Sequence, residues 1–441
     1  MKILLINPEF LKQGVGSEVK FTSMPVYKLL FNSGFKSNLT LLTLAVLTPE
    51  EHTVEIIDDT VQSINFDGDY DLVGITVMTT AANRAYEISD EFRRRGKTVV
   101  LGGWHVSALP DEAKQHADSV VIGEAEDLWP LLLKDFSNGL LKPFYKQIKK
   151  VDLSVIPPLT DIRKMNKYGS FPDGVEATRG CTVGCKFCSA TNKPLYREFR
   201  KKPIDNVIEE IGFINKKIFV FIDNSLTFDP VYAKQLFKKM KGLNKKFYAL
   251  GNISMFEKDE ELLKLAAKAG LMEIKIGLES SNQTAINSIN KWTNKVNNYA
   301  SVIKKIHDYG ISVLGYFMFG LDVDTKDIFD ETLDFVESIE LDLTNFMILT
   351  PYPGTPIYDQ LENESRILTK DWSKYDMDHV VFQPKNMTPE ELLEGTQRVA
   401  KAYYSPMKTI KRIIRSSKIG FYPFLSTSVL SYITRRWAKQ F

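Results

Sequence analysis

"RGCTVGCKFCSA", residues 179–190, contains Cys181, Cys185 and Cys188, which are all the cysteines of this chain of 441 residues. A structural zinc site needs four ligands, usually given as two pairs from separate segments, and here the loop offers three thiols with every histidine outside it. The spacing C-x3-C-x2-C instead suits three irons of a 4Fe–4S cluster, since omitting the fourth cysteine leaves one iron open. In this loop Gly184 relieves crowding and Phe187 can shield the cluster from water.

Before the loop, residues 1–145 alternate apolar strand segments with helical segments. The strands are "KILLIN", "TVEIIDD", "DLVGITVM", "TVVLGGWH" and "SVVI", the last leading into "GEAEDLWPLLLKDF". Apolar strands separated by helices predict a parallel sheet buried on both faces, which is a doubly wound, Rossmann-like α/β domain. Ligands of such domains bind at the carboxyl ends of the strands. The residues at those ends are Asn7, Pro8, Thr76, Gly102, Gly103, Trp104, His105, Gly123 and Glu124.

After residue 170, six strand segments alternate with helices as far as residue 350. A linker at 146–170, marked by Pro157-Pro158, separates them from the first domain. This alternation predicts a partial (β/α)6 barrel over residues 171–350, with the cysteine loop directly after its first strand, where barrel chemistry is expected. Residues 351–441 are predicted to form a mostly helical C-terminal capping region.

Composition and charge indicate the class of protein, its location in the cell and the partners to expect. With 44% hydrophobic and 25% charged residues the chain is typical of globular proteins, and its N-terminus does not read as a signal peptide. We expect a cytoplasmic protein without a nucleic-acid partner. After Glu394 the chain has ten basic residues and no acidic one, interleaved with aromatic residues. This tail predicts either peripheral contact with anionic lipid on the inner face of the membrane or a docked helix pair with a solvated basic face.

The cysteine motif "CTVGCKFC" resembles the C-x3-C-x-aromatic-C motif of radical S-adenosylmethionine enzymes. The stretches "VVLGGWHVSALPDEA" and "ADSVVIGEAEDLWPLL" resemble the cobalamin-binding domain of the subfamily that joins this domain to a radical barrel, as class B radical methyltransferases do. The resemblance implies a 4Fe–4S cluster, S-adenosylmethionine and cobalamin as cofactors, and an electron donor such as ferredoxin or flavodoxin. No D-x-H-x-x-G follows the first strand, so the resemblance implies cobalamin without a lower histidine ligand.

The resemblance also implies roles for residues of the barrel. The segment "FIDNSLTFD" (221–229) would hold the methionine amino group through Asp223 and Asn224, and "GLESSNQTAINSINK" (277–291) would bring Glu279 and Ser280 to the ribose or methionine end of the cofactor. A strand-end cap or salt bridge is the alternative role of Glu279. In the first domain the implied cobalamin contacts are Thr76, Gly102, Gly103, His105, Gly123 and Glu124.

The implied activity is formation of a 5′-deoxyadenosyl radical that abstracts hydrogen from an unactivated carbon, followed by methyl transfer from cobalamin. We expect C-methylation of a small-molecule or lipid substrate, such as an isoprenoid. The alternatives are a radical cyclisation, coupling or oxidation on the same architecture, or a non-catalytic iron–sulfur or zinc-binding regulator. The sequence assigns no acid–base residue, and each of the five histidines is expected to be a surface or packing residue.

Overall fold

A computed structural model describes residues 1–9, 39–60, 62–160, 173–192 and 198–438. The chain divides into two compact units. The first is Met1–Phe171 with Tyr352–Asp359 and Lys370–Asp376, and the second comprises Pro172–Pro351, Gln360–Thr369 and Met377–Phe441. The predicted linker falls partly on residues 161–170, outside the described residues. The predicted domain limits at 145, 170 and 350 stay predictions.

The first unit contains a sheet of six parallel strands in the order β2-β1-β3-β4-β5-β6. Residues 3–6, in strand β1 (Lys2–Asn7), are wholly buried, as expected of a strand covered on both faces. The strands are β1 Lys2–Asn7, β2 Thr53–Asp58, β3 Leu72–Thr76, β4 Thr98–Gly102, β5 Ser119–Ile122 and β6 Phe144–Lys146.

Within the described part of the first unit, five α-helices accompany this sheet. They are α1 Leu39–Val46, α2 Ala82–Arg94, α3 Trp104–Ala108, α4 Pro110–Gln115 and α5 Leu128–Ser137. The strand predicted in "TVVLGGWH" is shorter than expected, because Gly103 adopts φ +111° and α3 begins at the next residue. The segment Lys370–Asp376 also belongs to this unit: Trp372 Nε1 donates to Glu112 Oε1 at 3.0 Å.

The second unit contains another sheet of six parallel strands, in the order β14-β13-β12-β11-β10-β7. The strands lie in the sheet in the order in which they occur in the chain, with only β8 and β9 left out, and this gives the partial barrel that the sequence predicts. Its strands are β7 Asp173–Val175, β10 Ile218–Phe221, β11 Lys246–Gly251, β12 Leu271–Glu279, β13 Ser312–Phe319 and β14 Leu343–Ile348. A short antiparallel pair, β8 Thr178–Arg179 and β9 Arg200–Lys201, stands beside the cysteine loop.

Helices connect these strands, and their ends follow the sequence. For example, the Asp259 side chain accepts from the Leu262 amide at the start of one helix, which ends at Gly270 with φ +107°. The helices are α6 Ser189–Asn192, α7 Ile204–Phe213, α8 Pro230–Met240, α9 Ile253–Lys258, α10 Glu260–Ala269, α11 Gln283–Ser288, α12 Tyr299–Asp308 and α13 Ile328–Ser338.

Four helices make up the C-terminal region: α14 Pro356–Asn363, α15 Pro389–Tyr403, α16 Pro406–Ile419 and α17 Phe421–Ala438. The last two bond to residues near the amino ends of the barrel strands. Ser416 Oγ donates to Asp342 Oδ1 at 2.9 Å, just before β14, and Ser426 Oγ donates to Glu273 Oε2 at 2.6 Å, early in β12. These helices therefore lie at the opposite end of the strands from the cysteine loop. None of the helices described here has the length and apolar character that crossing a membrane requires.

Candidate active site

The three cysteines lie in a loop that begins directly after β8. Gly180 at φ +91° and Gly184 at φ +76° let the backbone reverse there, a conformation that costs other residues energy. The Cys188 amide donates to the Cys185 carbonyl at 3.1 Å, which closes a turn around the last two thiols. Cys185 is buried, Cys181 and Cys188 are half-buried, and none of the three is in a disulfide bond. Phe187, which lies between Cys185 and Cys188 in the sequence, is half-buried.

Burial dominates the electrostatics of the thiols. It raises the pKa of all three, that of Cys185 to about 12, and the positive charge of Lys291 acts against this rise at each one. Cys181 and Cys188 both raise the pKa of Cys185, and Cys181 raises that of Cys188, which indicates that the sulfurs share one environment. Thiolates crowded in this way need positive charge to compensate them, and iron provides it.

The donor set fits a 4Fe–4S cluster with one iron left open. In such a cluster each thiolate binds its own iron, so the three sulfurs need not converge on one ion. Within the described ranges, no group of three or more His, Cys, Asp or Glu side chains could hold a single metal ion.

Glu279 ends β12 beside the cysteines and is held in an unusual conformation. Its φ is +68°, and the register between β12 and β13 shifts between Gly277 and Glu279. Its carboxylate accepts a hydrogen bond from Lys291 Nζ, and the two side chains are only 7% and 15% exposed. A Cβ at position 277 would lie 2.2 Å from Glu279 Oε1 and 2.6 Å from Lys291 Nζ. A side chain at 277 would therefore displace this ion pair from its present position.

Lys291 keeps its charge despite burial. Burial lowers the pKa of its ammonium group, but Glu279 and the Cys185 and Cys188 sulfurs outweigh that effect and raise it overall. The sequence did not identify Lys291 as a site residue, because it lies well beyond the strand that carries Glu279.

The segment 289–292, which follows α11, fixes the cysteine loop. Three hydrogen bonds join them: Lys186 N to Ile289 O at 3.0 Å, Asn290 Nδ2 to Gly184 O at 3.0 Å, and Trp292 Nε1 to Val183 O at 3.2 Å. Asn290 has φ +58°, a conformation that asparagine tolerates better than most residues. An asparagine before the lysine in "SINK" is the signal that could have predicted this turn, because asparagine favours turns.

Asp223 and Asn224 follow β10 but differ in surroundings. The Asp223 side chain is 1% exposed and accepts from the Ala177 amide at 3.2 Å and from the amide and hydroxyl of Thr178. Burial raises its pKa to about 7 despite these bonds. Asp223 thus holds the chain just before the cysteine loop, whereas Asn224 is exposed. Ser280 is buried, and its hydroxyl accepts from the Asn282 amide at 3.1 Å.

The carboxyl ends of β3, β4 and β5 bring Thr76, Gly102, Gly103 and Gly123 together in the first unit, as expected from adjacent parallel strands. A Cβ at Gly103 would lie 2.7 Å from the Val77 carbonyl oxygen, so glycine is required there by the protein itself. A Cβ at Gly102 would make an ordinary contact of 3.6 Å. The glycines leave bare backbone at this edge, and a flat cofactor such as a corrin fits such an edge.

His105 and Glu124 are instead tied into the protein. The His105 ring is wholly buried, with Nε2 3.2 Å from Glu112 Oε1, and it contacts the Trp372 ring. Glu124 is buried, and its Oε2 accepts from Gln147 Nε2 at 3.0 Å. Both side chains thus position the loops at this edge.

Comparisons with known proteins agree with this geometry. Residues 175–336 match the Radical SAM superfamily, and residues 35–133 match the B12 binding domain. The chain is 34% identical over 392 residues to bacteriochlorophyllide d C-12(1)-methyltransferase of Chlorobaculum tepidum, covering 85% of this chain and 84% of the relative. The chain belongs to the cobalamin-binding radical S-adenosylmethionine methyltransferases.

Two further similarities extend over most of the chain. Bacteriochlorophyllide d C-8(2)-methyltransferase of the same organism is 33% identical, covering 90% of this chain and 93% of its own. The solved structure of OxsB, a cobalamin-dependent S-adenosylmethionine radical enzyme with aqua-cobalamin and S-adenosylmethionine bound, has a TM-score of 0.69 and 17% identity, covering 99% of this chain and 72% of its own. The latter shows the fold.

The family membership confirms several predictions from the sequence. The two-domain α/β architecture with a helical C-terminus, the assignment as an enzyme, and the cofactors 4Fe–4S cluster, S-adenosylmethionine and cobalamin are confirmed. Methylation of an unactivated carbon is the reaction of this family. The individual cofactor contacts stay predictions.

Proposed function

We propose that this protein methylates an unactivated carbon of a large apolar polycyclic molecule, a tetrapyrrole or a polycyclic isoprenoid lipid. The observation that carries this proposal is the identity of 34% and 33% with two methyltransferases that act on bacteriochlorophyllide d. The tetrapyrrole is therefore the first substrate to test.

In this proposal Cys181, Cys185 and Cys188 each bind one iron, and Phe187 covers the cluster against water. When bound, the cluster, S-adenosylmethionine and cobalamin supply the electron, the radical and the methyl group. Asp223 holds the chain that leads into the cysteine loop through Thr178.

The residues proposed for S-adenosylmethionine are Glu279, Ser280 and Asn224. Glu279 is supported by its burial beside the thiols, which places a carboxylate where a bound cofactor has hydroxyl and amino groups to donate. For cobalamin we propose the backbone at Thr76, Gly102, Gly103 and Gly123, with His105 and Glu124 positioning these loops.

The test uses full-length protein reconstituted without oxygen with iron, sulfide and hydroxocobalamin, and supplied with reductant and S-adenosylmethionine that carries a trideuteromethyl group, so that every methyl group transferred is labelled. With bacteriochlorophyllide d we expect 5′-deoxyadenosine, S-adenosylhomocysteine and a product in which a trideuteromethyl group replaces one hydrogen. A Cys185→Ala protein should form none of these. A pentacyclic lipid is the second probe.

The outcomes separate the alternatives. A modified product without a new methyl group would favour the non-methylating radical reaction. Formation of 5′-deoxyadenosine with both probes unchanged would overturn the substrate class but not the radical chemistry. If no 5′-deoxyadenosine forms under reducing conditions, the proposal is wrong and a regulator is favoured. Ferredoxin and flavodoxin are the electron donors to try first.

We also propose peripheral contact with anionic membranes through α16. The faces of this helix are reversed relative to an ordinary surface helix. Its buried face is polar: Arg412 Nη1 donates to the Tyr403 carbonyl at 2.7 Å, and Ser416 bonds to Asp342. Its exposed face is apolar, with Met407, Ile410 and Ile414 exposed by 71%, 57% and 55%.

Charge on the same exposed face favours an anionic lipid surface as its partner. Lys411 and Lys418 are exposed there, and the chain has no acidic residue after Glu394. Each such basic residue contributes about 1 kcal/mol near an anionic surface, and inserted apolar side chains add comparable amounts. The docked-helix alternative and lipid contact use opposite faces of the helix, so the docking described above is compatible with this proposal.

Flotation with vesicles of phosphatidylglycerol and phosphatidylcholine tests lipid contact. Wild-type protein should float at low salt and less at high salt, because salt screens exposed charges. The variant Met407→Ser/Ile410→Ser/Ile414→Ser should stay at the bottom, whereas Val231→Ser, which changes an equally exposed apolar residue on α8, should float as wild type does. Wild-type protein that does not float at low salt would overturn the proposal.

A further inference from the structure

The buried pair Glu279–Lys291 is unusual because two charges sit where uncharged residues would cost less. Burying a charged pair is expensive and often gives no net stability, so its presence calls for another explanation. A side chain at 277 would displace the pair from its present position. The segment that carries Lys291 is hydrogen-bonded to the cysteine loop, so the pair is held close to the thiols.

The position of the Lys291 ammonium is fixed relative to the cysteine loop. Its neighbours Ile289, Asn290 and Trp292 all bond to that loop, at residues 183–186. The Lys291 side chain is in turn fixed by Glu279. A charge held in this way keeps its distance from the three sulfurs, as a mobile surface lysine would not.

We propose that Lys291 is a positioning residue that sets the reduction potential of the cluster on Cys181, Cys185 and Cys188, with Glu279 opposing it. A fixed positive charge in a poorly screened site stabilises the more negative, reduced cluster and so raises its potential, and a fixed negative charge lowers it. The inference rests on the cluster of the proposed function. Beyond that function, the Glu279–Lys291 pair sets how readily this cluster accepts an electron.

The experiment measures midpoint potentials of full-length protein reconstituted with iron and sulfide, without S-adenosylmethionine, by EPR of samples poised at known potentials. Wild type is compared with Lys291→Met, Lys291→Arg and Glu279→Gln, each checked first for iron content and for absorbance near 400 nm. At a fixed potential we expect the ratio of reduced to oxidised cluster to fall about tenfold in Lys291→Met, and to rise in Glu279→Gln. For a one-electron couple, tenfold corresponds to about 59 mV. Lys291→Arg should stay close to wild type.

Opposite shifts distinguish electrostatic tuning from a structural role. If the two substitutions only loosened the loop, both would expose the cluster to water and shift its potential in the same direction. Shifts of the same sign, or no shift in Lys291→Met, would overturn the inference. If Lys291→Met does not hold a cluster, the positive shift in Glu279→Gln must still appear. A wild-type protein that holds no cluster would overturn the proposed function itself.

Discussion

At the scale of single residues, Gly102 and Gly103 have different roles although they are adjacent. Gly103 combines φ +111° with backbone 2.7 Å from where a Cβ would lie, whereas Gly102 has room for one. We predict that Gly103→Ala lowers the free energy of unfolding by about 1–3 kcal/mol, because both the strain and the clash act in the folded state. Gly102→Ala should stay within about 1 kcal/mol of wild type. Urea denaturation of both variants measures this.

The Gly102→Ala variant also tests the proposed cobalamin contact at the carboxyl ends of β3, β4 and β5. If a corrin approaches the backbone at Gly102, the added methyl group of Gly102→Ala should reduce retention of hydroxocobalamin through desalting without loss of fold. Gly212→Ala, at a position with nothing within 4 Å, is the control and should retain cobalamin as wild type does. Equal retention by Gly102→Ala and wild type would contradict the contact at Gly102.

Asp324 gives a prediction on pH. Its Oδ2 accepts from the amides of Gly320 and Leu321 at 3.0 and 2.9 Å, and burial raises its pKa to about 7. Because the pKa of Asp324 is raised in the folded state, its contribution to the free energy of unfolding is fully present below about pH 4. This contribution is lost as the pH rises through 7. Asparagine can accept both bonds with one oxygen and does not titrate. We predict that Asp324→Asn exceeds wild type in stability by roughly 2–4 kcal/mol at pH 8 but not at pH 4.

Denaturation curves from pH 4 to 8 check this, with Asp308→Asn as an exposed control on α12. The curves of the control and wild type should run parallel. If those of Asp324→Asn and wild type did so as well, burial of the charged Asp324 would not be the cause of the pH dependence.

Single residues also show the limit of reading a sequence. The cysteines could be predicted because their spacing in one loop carries the chemistry. Lys291 could not, because its partners are Glu279 on β12 and the distant cysteine loop, which only the folded barrel brings to it. For Asp223 the cofactor contact stays a prediction, and the bonds of its carboxylate to Ala177 and Thr178, 45 or more residues earlier in the chain, are what the sequence could not show.

At the scale of elements, the cysteine loop depends on the segment 289–292 for its shape. We predict that Asn290→Gly, which keeps the left-handed backbone but loses the bond to Gly184, releases cluster iron to a chelator about fivefold faster than wild type. This is the factor expected for the loss of one hydrogen bond of about 1 kcal/mol. Asn287→Ala, in the preceding helix, is the control. Release at the wild-type rate from Asn290→Gly would show that this bond does not hold the loop.

Hydrophobic patterning predicted five strands of the barrel sheet as apolar runs bounded by turn residues. The first predicted strand, residues 174–180, is wrong in detail: it is divided into β7 of the barrel sheet and β8 of the separate antiparallel pair, so the cysteine loop follows β8 and not a barrel strand. The patterning missed α1 and β6, and it extended β4 through Trp104 and His105. The three-residue strand β6 is too short to show a period, and the end of β4 depends on one backbone angle at Gly103. Boundaries of this kind depend on tertiary contacts more than on composition.

At the scale of the whole molecule, the sequence could not predict contacts between residues that are distant in the chain. Trp372 and Glu112 are 260 residues apart, yet the bond between them joins Lys370–Asp376 to the first unit. No local pattern marks such a pair. The alternation of strands and helices in each half, by contrast, was sufficient for the architecture.

The histidine side chains are engaged by other groups of the protein. His52 Nδ1 lies 3.4 Å from the Met1 amino group, His105 is bonded to Glu112 at 3.2 Å, His116 to Asp90 at 2.8 Å and His307 to Asp342 at 2.7 Å, and His379 also has an interaction within the protein. The sequence also lacks D-x-H-x-x-G after β1. We therefore predict that cobalamin is retained without a histidine as lower ligand.

Full-length protein loaded with hydroxocobalamin and reduced to cobalt(II) provides the measurement. Protein grown with ¹⁵N-histidine should give the same EPR spectrum as protein with ordinary histidine, because a coordinated ring nitrogen would change its hyperfine splitting with the isotope. His105→Gln tests the histidine at the proposed cobalamin edge, and His116→Gln is its control, because His116 is a second carboxylate-bonded histidine of the same unit. We expect neither variant to alter the cobalt spectrum, although His105→Gln should lower stability by removing the bond from a buried ring to Glu112. An isotope effect that disappears in His105→Gln would identify His105 as the ligand and would mean that its bond to Glu112 orients the ring toward cobalt.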